Sequence, residues 1–285
     1  MTKLFGVLGW PIGHTASPAM MAAAFAALQE DAVYLPFAVR EQDFVTAVRG
    51  LAALGAVGAN VTIPHKQTAW REMDEVTPEA RLAQAVNTIA FDGQRLTGHN
   101  TDVQGWWNTV VSHLPDGPLR VTVFGSGGAT RAVLSALSLH RPSSHVVLVA
   151  RNQERAGELA TCYEDYLRMS VQSWSQRHEA CLEAQLLVNT TSVGMWPQTG
   201  ESVIFDPGCI SPGQVVQDVV YRPRQTTLLK QARLRGAVAV DGLPMLVGQG
   251  AAALEFWLRR PAPYDVMFSA AENFVAHRSE QQRDY

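Results

Sequence analysis

A glycine-rich turn between a strand and a helix is the feature that most constrains the fold of this chain. Val121–Phe124 is apolar and partly β-branched, and Thr130–Leu139 follows with the composition of a buried helix. A second apolar strand, His145–Ala150, comes after the helix. This order predicts a βαβ unit, in which the two strands lie parallel. The turn itself consists of Gly125, Ser126, Gly127, Gly128 and Ala129.

The turn has the composition of a phosphate-binding loop. Glycines let the backbone approach a pyrophosphate, and the start of the helix offers free N–H groups and a positive dipole end. The strict dinucleotide fingerprint is not met, because Thr130 stands at its third glycine position. A plain tight connection between strand and helix is the alternative interpretation.

The end of the second strand bears on the choice of cofactor. NAD-dependent enzymes usually place a carboxylate there to bind the ribose hydroxyls. This chain instead continues Ala150, Arg151, Asn152, with Arg155 slightly later and no carboxylate before Glu154. A guanidinium suits a 2′-phosphate, which a carboxylate would repel. The sequence therefore favours NADP, and a solvated arginine at a strand end is the alternative.

Length and periodicity predict two α/β domains. The chain has 285 residues, about twice the usual domain length. Short apolar strands separated by helical segments recur after the glycine turn, which predicts a parallel sheet covered on both faces. Strands also alternate with helices in the first hundred residues, where Asp92-Gly93 marks a hairpin turn. The predicted strands are Lys3–Gly9, Tyr34–Phe37, Ala59–Ile63, Val86–Phe91, Arg95–Thr97, Leu186–Asn189, Val215–Val220 and Ala237–Val240.

Composition excludes several classes of protein. The net charge of −3 and the lack of a basic run argue against a nucleic-acid partner. Cys162, Cys181 and Cys209 are too widely spaced for a metal site, and their odd number favours free thiols in a reducing compartment. The longest apolar stretch, Ala19–Leu28, is too short to span a bilayer. We expect a cytoplasmic protein with no metal, no membrane partner and a small-molecule substrate.

Five polar segments interrupt the apolar pattern outside the glycine turn. Each has a plain structural interpretation when taken singly: Ser17, for example, could cap the helix that begins at Pro18. A lone lysine is nearly always solvated, yet Lys66 follows a buried strand and a proline turn. The segments are Gly9–Pro18, Asn60–Lys66, Ala85–Ile89, Gly98–Asp102 and Asp241–Gln249.

Taken together and in this order, the segments resemble the shikimate dehydrogenase family. The shared blocks are Asn-Val-Thr-Ile-Pro-His-Lys, Ala-Val-Asn-Thr, Asn-Thr-Asp and Asp-Gly-x-x-Met-Leu-Val-x-Gln. Two further stretches fit, Asn189–Met195 and Asp218–Pro223, so that the resemblance extends from Gly9 to Trp257.

The resemblance implies a reversible, NADPH-dependent reduction of 3-dehydroshikimate to shikimate, in aromatic amino-acid biosynthesis. Lys66 would be the catalytic acid/base and Asp102 its partner. An ammonium beside the carbonyl oxygen can stabilise developing negative charge and deliver a proton. The residues that would bind the substrate are Thr15, Ser17, Thr62, Lys66, Asn87, Asp102, Tyr221 and Gln249. Those that would bind NADP are Gly125, Ser126, Gly127, Gly128, Ala129, Arg151, Asn152, Arg155, Val219 and Gly242.

The resemblance also implies the architecture. An N-terminal α/β substrate domain, residues 1–102, would be completed by C-terminal helices within 241–285. Residues 103–240 would form a Rossmann-like, doubly wound nucleotide domain with a parallel sheet. The site would lie in a cleft between the two domains, and the protein would be a monomer or a homodimer. His14, His65 and His99 adjoin the motifs, and we expect structural roles for them.

Three positions depart from the family pattern, and one of them, Ser126 in place of an alanine, is expected to be harmless. Thr15 replaces the commoner serine, and Ala150 replaces an asparagine. The methyl group that Thr15 adds affects the fit of a ring that carries an extra hydroxyl, as quinate does. A quinate/shikimate dehydrogenase using NAD or NADP is therefore an alternative. Two further functional alternatives are a non-catalytic metabolite-binding homologue and a different two-domain dehydrogenase, such as the folate type.

Overall fold

Two six-stranded sheets organise the chain, and each lies in a separate compact unit. The computed structural model describes residues 1–13 and 15–280. The first unit comprises residues 1–105 and 247–285, and the second comprises 106–246. The first boundary therefore lies three residues after the predicted 102, and the second lies six residues after the predicted 240.

The first unit alternates strands with helices for most of its length. The strands predicted from the sequence are all present, and the short edge strand β4 is an addition that its two residues did not signal. The elements are β1 (Lys3–Gly9), α1 (Ser17–Ala27), β2 (Ala32–Ala38), α2 (Phe44–Ala53), β3 (Gly58–Val61), α3 (Lys66–Glu72), β4 (Glu75–Val76), α4 (Pro78–Ala83), β5 (Thr88–Asp92), β6 (Arg95–His99) and the start of α5 (Thr101–Val110).

One reversed strand distinguishes the first sheet. Its order is β2-β1-β3-β5-β6-β4, and β5 runs antiparallel to both of its neighbours. The carboxyl ends of β1, β3 and β6 therefore lie at the same edge of the sheet as the start of β5. The polar segments that follow β1, β3 and β6, and the one that precedes β5, are brought to this edge.

Apolar side chains from the sheet and its helices form the core of the first unit. Phe44, Val48 and Leu51 of α2 pack with Leu8 and Val61 of the sheet, at the helical spacing seen in the sequence. The C-terminal segment forms α9 (Leu243–Leu258) and α10 (Tyr264–Glu280). Helix α10 packs against α1, within the first unit.

The second unit is a parallel sheet throughout. Its elements are β7 (Arg120–Phe124), α6 (Gly128–His140), β8 (His145–Ala150), α7 (Gln153–Thr161), β9 (Arg168–Ser173), β10 (Leu186–Asn189), β11 (Val215–Asp218), α8 (Thr227–Leu234) and β12 (Val238–Val240). The spatial order is β12-β11-β10-β7-β8-β9. The chain thus builds outward from β7 in one direction, and then from β10 in the other.

The glycine turn lies where this strand order reverses. In open α/β sheets, ligands bind at such a switch point, beyond the carboxyl ends of the strands. The predicted α/β class and the Rossmann-like parallel sheet are confirmed. Strand β9 was missed by the sequence analysis because it is an edge strand of mixed polarity, Arg168-Met169-Ser170-Val171-Gln172-Ser173. Among the described residues, no helix has both the length and the apolar character that crossing a membrane requires.

Candidate active site

Lys66 and Asp102 form a direct ion pair. Lys66 Nζ lies 2.6 Å from Asp102 Oδ2, and the side chains are 17% and 8% exposed. An ion pair this shielded from water is stronger than a surface pair, because solvent screens it less. The prediction that the two groups converge is confirmed by this distance.

The sheet edge explains why the pair forms. Lys66 begins α3, shortly after β3, and Asp102 lies in the first turn of α5, after β6. The Lys66 carbonyl accepts a hydrogen bond from the Val86 N–H at 2.9 Å. The Asp102 N–H donates to Asn100 Oδ1 at 3.2 Å, and Asn100 Nδ2 donates to the Ala85 carbonyl at 2.9 Å. The segment before β5 therefore fixes both partners.

Asn87 is held in one orientation by buried neighbours. Its Oδ1 accepts from the Thr101 N–H at 2.8 Å and from Thr88 Oγ1 at 3.0 Å. Its Nδ2 donates to Thr101 Oγ1 at 2.9 Å and to Gln249 Oε1 at 3.4 Å. Two predicted site residues from opposite ends of the chain, Asn87 and Gln249, are thus brought together within the first unit.

Thr15 and Ser17 form a second polar pair at the start of α1. Thr15 Oγ1 donates to Ser17 Oγ at 3.1 Å and accepts from the Ser17 N–H at 3.2 Å. The expectation that Ser17 caps the helix is wrong. Ser17 is the first helical residue, and the N-cap residue is Ala16, which makes no side-chain capping hydrogen bond. Because Ala16 is already in the α region, the helix begins one residue early and leaves the Ser17 hydroxyl for other partners.

The remaining predicted substrate residues lie in different surroundings. Thr62 is half-buried and follows β3. Its methyl group would overlap a Cβ placed on Gly9. The close approach of the segments that follow β1 and β3 therefore requires a glycine at position 9. Tyr221 belongs to the second unit, where burial raises the pKa of its phenol.

The glycine turn has the backbone that a phosphate loop requires. Gly125 has φ +116°, and a Cβ there would lie 2.6 Å from Thr190 Oγ1. A Cβ on Gly127 would meet nothing within 4 Å, so this residue borders open space at the start of α6. Residues 125–129 are all partly exposed. The first N–H groups of a helix lack intrahelical partners, which makes this surface suitable for an anion.

Thr130 explains how the turn is maintained without a third glycine. Its Oγ1 accepts from the Gly127 N–H at 3.1 Å and lies 2.8 Å from Thr190 Oγ1. Thr190 Oγ1 in turn donates to the Phe124 carbonyl at 2.6 Å. The threonine therefore ties the loop to the end of β10, a role that a glycine could not perform.

Arg151 is exposed directly after β8, with its guanidinium over the Trp174 ring at 5.3 Å from the centroid. Such stacking restrains an arginine while leaving its N–H groups available. Asn152 is the N-cap of α7, because its Oδ1 accepts from the Arg155 N–H at 2.9 Å. The Asn152 amide group and the exposed Arg155 remain at the same strand end as Arg151.

Val219 and Gly242 are in direct contact within the second unit. A Cβ on Gly242 would overlap the Val219 carbonyl, so only glycine permits this approach. Nearby, Arg224 bonds to Asp241 at 2.9 Å, and Asp241 Oδ1 accepts from the Leu243 N–H at 2.9 Å at the start of α9. Val219 and Gly242, which were both predicted to bind NADP, are therefore neighbours.

The histidines have structural surroundings where they are described. His65 is buried, contacts the Val39 carbonyl through Nε2 at 2.8 Å and stacks on Phe44. His99 Nδ1 lies 2.7 Å from Thr77 Oγ1, and burial lowers the pKa of His99. The prediction for His14 falls outside the described residues.

Sequence reasoning assigned no role to several residues that organise these groups. Asp218 ends β11 and accepts from Asn189 Nδ2 at 2.9 Å and Thr226 Oγ1 at 2.7 Å, and burial raises the pKa of Asp218 to about 6. Trp174 and Thr190 were missed as well. Asp218 and Thr190 could have been recognised in the sequence, because each is a polar residue at the end of an apolar strand.

Comparison with known proteins identifies the family of this chain. A model of the shikimate dehydrogenase substrate binding domain matches residues 7–89, and one of the shikimate 5′-dehydrogenase C-terminal domain matches 242–272. The NADP(+) shikimate dehydrogenase of Symbiobacterium thermophilum is 41% identical over 279 residues, covering 94% of this chain and 93% of the relative. The chain belongs to the shikimate dehydrogenase family.

Solved structures of the family share the whole fold. Shikimate 5-dehydrogenase from Thermus thermophilus, in complex with NADP(H) and shikimate, has a TM-score of 0.85 and 31% identity, and covers 96% of this chain and 100% of that chain. Quinate dehydrogenase from Corynebacterium glutamicum, in complex with NAD, has a TM-score of 0.86 and 30% identity, covering 94% and 98%. The shikimate dehydrogenase fold is thus also the fold of an enzyme with another substrate and cofactor.

Proposed function

We propose that the protein is an NADP-dependent shikimate dehydrogenase, which interconverts 3-dehydroshikimate and shikimate in aromatic amino-acid biosynthesis. The observation that carries the proposal is the shielded Lys66–Asp102 pair at 2.6 Å. Relatives at 38% and 41% identity, each aligned over 94% of this chain, have this activity as their name. Cys162, Cys181 and Cys209 form no disulfide, which supports a reducing compartment such as the cytoplasm.

Lys66 supplies the proton chemistry in this proposal. The bound nicotinamide provides the hydride that converts the carbonyl to an alcohol. The Lys66 ammonium stabilises the negative charge that grows on the carbonyl oxygen and then gives it a proton. In the reverse direction the Lys66 amine takes the hydroxyl proton. Asp102 holds Lys66 Nζ in place through their 2.6 Å contact.

Neutral polar groups bind the ring in this proposal. A polyhydroxylated ring needs several partners, because each unpaired buried hydroxyl costs about 1–3 kcal/mol. Hydroxyl and amide groups supply these partners without adding net charge near Lys66. The residues assigned to this role are Thr15, Ser17, Thr62, Asn87, Tyr221 and Gln249.

The residues of the second unit fit a phosphorylated dinucleotide. The open backbone at Gly127 and the start of α6 would hold the pyrophosphate. Arg151, with Asn152 and Arg155 beside it, would bind the adenosine 2′-phosphate, since no carboxylate intervenes before Glu154. The backbones of Val219 and Gly242 would contact the nicotinamide.

A four-way rate assay tests the function. The purified protein is given shikimate or quinate with NADP or NAD, and nicotinamide absorbance is followed. We expect the highest kcat/KM for shikimate with NADP. Faster turnover of quinate with NAD would instead assign the activity of the Corynebacterium relative, a possibility that Thr15 raises through its extra methyl group. Absence of turnover with both alcohols would contradict both the shikimate and the quinate assignment.

A further inference from the structure

Trp174 is a neighbour of Arg151 because of the way in which two strands pair. Strands β8 and β9 run parallel, and Ala150 lies opposite Ser173 at their carboxyl ends. The residues that follow, Arg151 and Trp174, therefore leave the sheet side by side. The Arg151 guanidinium lies over the indole ring, at 5.3 Å from its centroid. Two residues that are distant in the sequence thus meet at one corner of the second sheet.

The indole ring of Trp174 is anchored in the body of the second unit. It packs against the apolar core of that unit, and it meets the Phe124 ring edge-on, with 6.4 Å between the two centroids. Phe124 is fully buried and directly precedes Gly125, the first residue of the glycine turn. The ring on which Arg151 stacks is therefore fixed relative to the loop that we propose for the pyrophosphate.

A second arginine, Arg177, holds the backbone of Trp174 in place. Its Nη1 donates to the Trp174 carbonyl at 2.6 Å, and its Nε donates to the Val203 carbonyl at 3.1 Å. Its guanidinium also lies 5.3 Å from the centroid of the Trp174 ring. The Arg151 side chain, by contrast, makes no hydrogen bond or ion pair with another residue that the structure describes. Arg151 therefore keeps its N–H donors for a ligand.

We propose that Trp174 is a positioning residue that strengthens the preference of the cofactor site for a 2′-phosphate, acting through Arg151. This inference rests on the proposed function, in which Arg151 binds that phosphate. A solvated arginine side chain samples many rotamers, and stacking on an anchored ring restricts them while the N–H groups stay free in the guanidinium plane. NAD has a hydroxyl in place of the phosphate. Loss of the indole should therefore weaken the binding of NADP and hardly affect that of NAD.

Trp174→Leu tests the inference, because leucine keeps an apolar contact with Phe124 and removes the ring face. We expect the KM for NADP to rise about threefold, consistent with one lost cation–π contact at an exposed site, with kcat and the KM for NAD hardly changed. Trp174→Phe keeps a ring for the guanidinium and should retain most of the preference for NADP.

Trp107→Leu is the matched control. The Trp107 ring also lies beneath an arginine of the second unit, with the Arg141 guanidinium at 5.1 Å from its centroid, and it is buried. This variant should lower the melting temperature at least as much as Trp174→Leu does, without changing the ratio of the KM values for NADP and NAD.

A double-mutant cycle shows whether Trp174 acts through Arg151. In an Arg151→Ala background, adding Trp174→Leu should change the KM for NADP by less than about 1.5-fold, because the group that the indole positions is already gone. Multiplying effects of the two substitutions would overturn the inference. So would an unchanged KM for NADP in Trp174→Leu, or an equal rise in the KM values of both cofactors. If Trp174→Leu does not fold, Trp174→Met removes the ring face with a longer apolar side chain, and the same outcomes decide.

Calorimetric titration with 2′,5′-ADP and 5′-AMP separates this inference from the proposed function, because it needs no turnover. We expect tighter binding of 2′,5′-ADP, with the preference reduced about threefold in Trp174→Leu. An equal preference in both proteins would overturn the inference and leave the NADP assignment intact. No preference in the unaltered protein would refute the phosphate role of Arg151, and the inference with it. Absence of shikimate turnover with the preference intact would contradict the proposed substrate alone.

Discussion

The two units present their polar groups in opposite ways. In the first, side chains hold one another: Lys66 binds Asp102, and Asn87 has three side-chain partners. In the second, the glycine turn exposes backbone, and Arg151 is exposed with an aromatic ring as its support. A small hydroxylated ring offers few atoms, so its recognition requires directed side chains, whereas a pyrophosphate can be bound by main-chain N–H groups.

Different responses to substitution should follow from this contrast. A change in the first unit removes one member of a network whose remaining groups stay buried and unpaired. A change at the exposed arginine removes a single contact. The expected effects therefore decrease from the ion pair of the first unit to the arginine of the second.

The largest effect is expected for Lys66→Ala. Removing the ammonium should lower kcat about 10³-fold, within the usual range for a general acid, and leave shikimate binding largely intact. Steady-state rates and a shikimate titration measure the two quantities. Lys3→Ala, which breaks the 2.7 Å pair with Glu30 elsewhere in the same unit, is the control and should keep full activity. Near-normal kcat in Lys66→Ala would remove the pair from the mechanism.

Asp218 is where the contrast could break, since it is a fully buried carboxylate in the second unit. Burial raises its folded pKa to about 6 from 3.8. The folded state thus holds the proton more tightly, so the stability contribution of Asp218 is greatest below pH 3.8 and falls as pH rises to about 6.

Asp218→Asn removes this titration. Relative to the unaltered protein, the variant should gain roughly 3 kcal/mol of unfolding free energy between about pH 4 and pH 7, superimposed on a constant offset. Urea denaturation at a series of pH values measures the difference. A flat difference for Asp218→Asn would show that the carboxylate ionises freely in the folded protein.

The smallest effect is expected for Arg151→Ala. Loss of one charge-assisted contact should raise the KM for NADP about tenfold and hardly change the KM for NAD. Arg168→Ala, at the opposite end of the β8–β9 pair, is the control and should change neither. Equal changes with both cofactors would refute the phosphate assignment and weaken the contrast between the units.

Much of this arrangement was predictable from the sequence because its signals are local. The strands around the glycine turn are continuous apolar runs, and the Lys66 and Asp102 segments stand out against apolar flanks. The hydrogen bond from Tyr34 Oη to Asn60 Oδ1 was not predictable, because it depends on which strands flank β1. Ser17 was misassigned as a cap because Ala16 adopts helical backbone angles without a capping side chain. Trp174 was missed because it directly follows β9, an edge strand whose mixed polarity prevented its prediction.

The reversed strand β5 has a consequence for engineering. Asn87 stands just before the β5–β6 hairpin and Asp102 just after it, whereas the turn at Gly93 lies at the far end of the sheet. Residues added at that turn would project from the side opposite the polar edge, so an affinity tag or reporter peptide could be inserted there while both flanking residues keep their places.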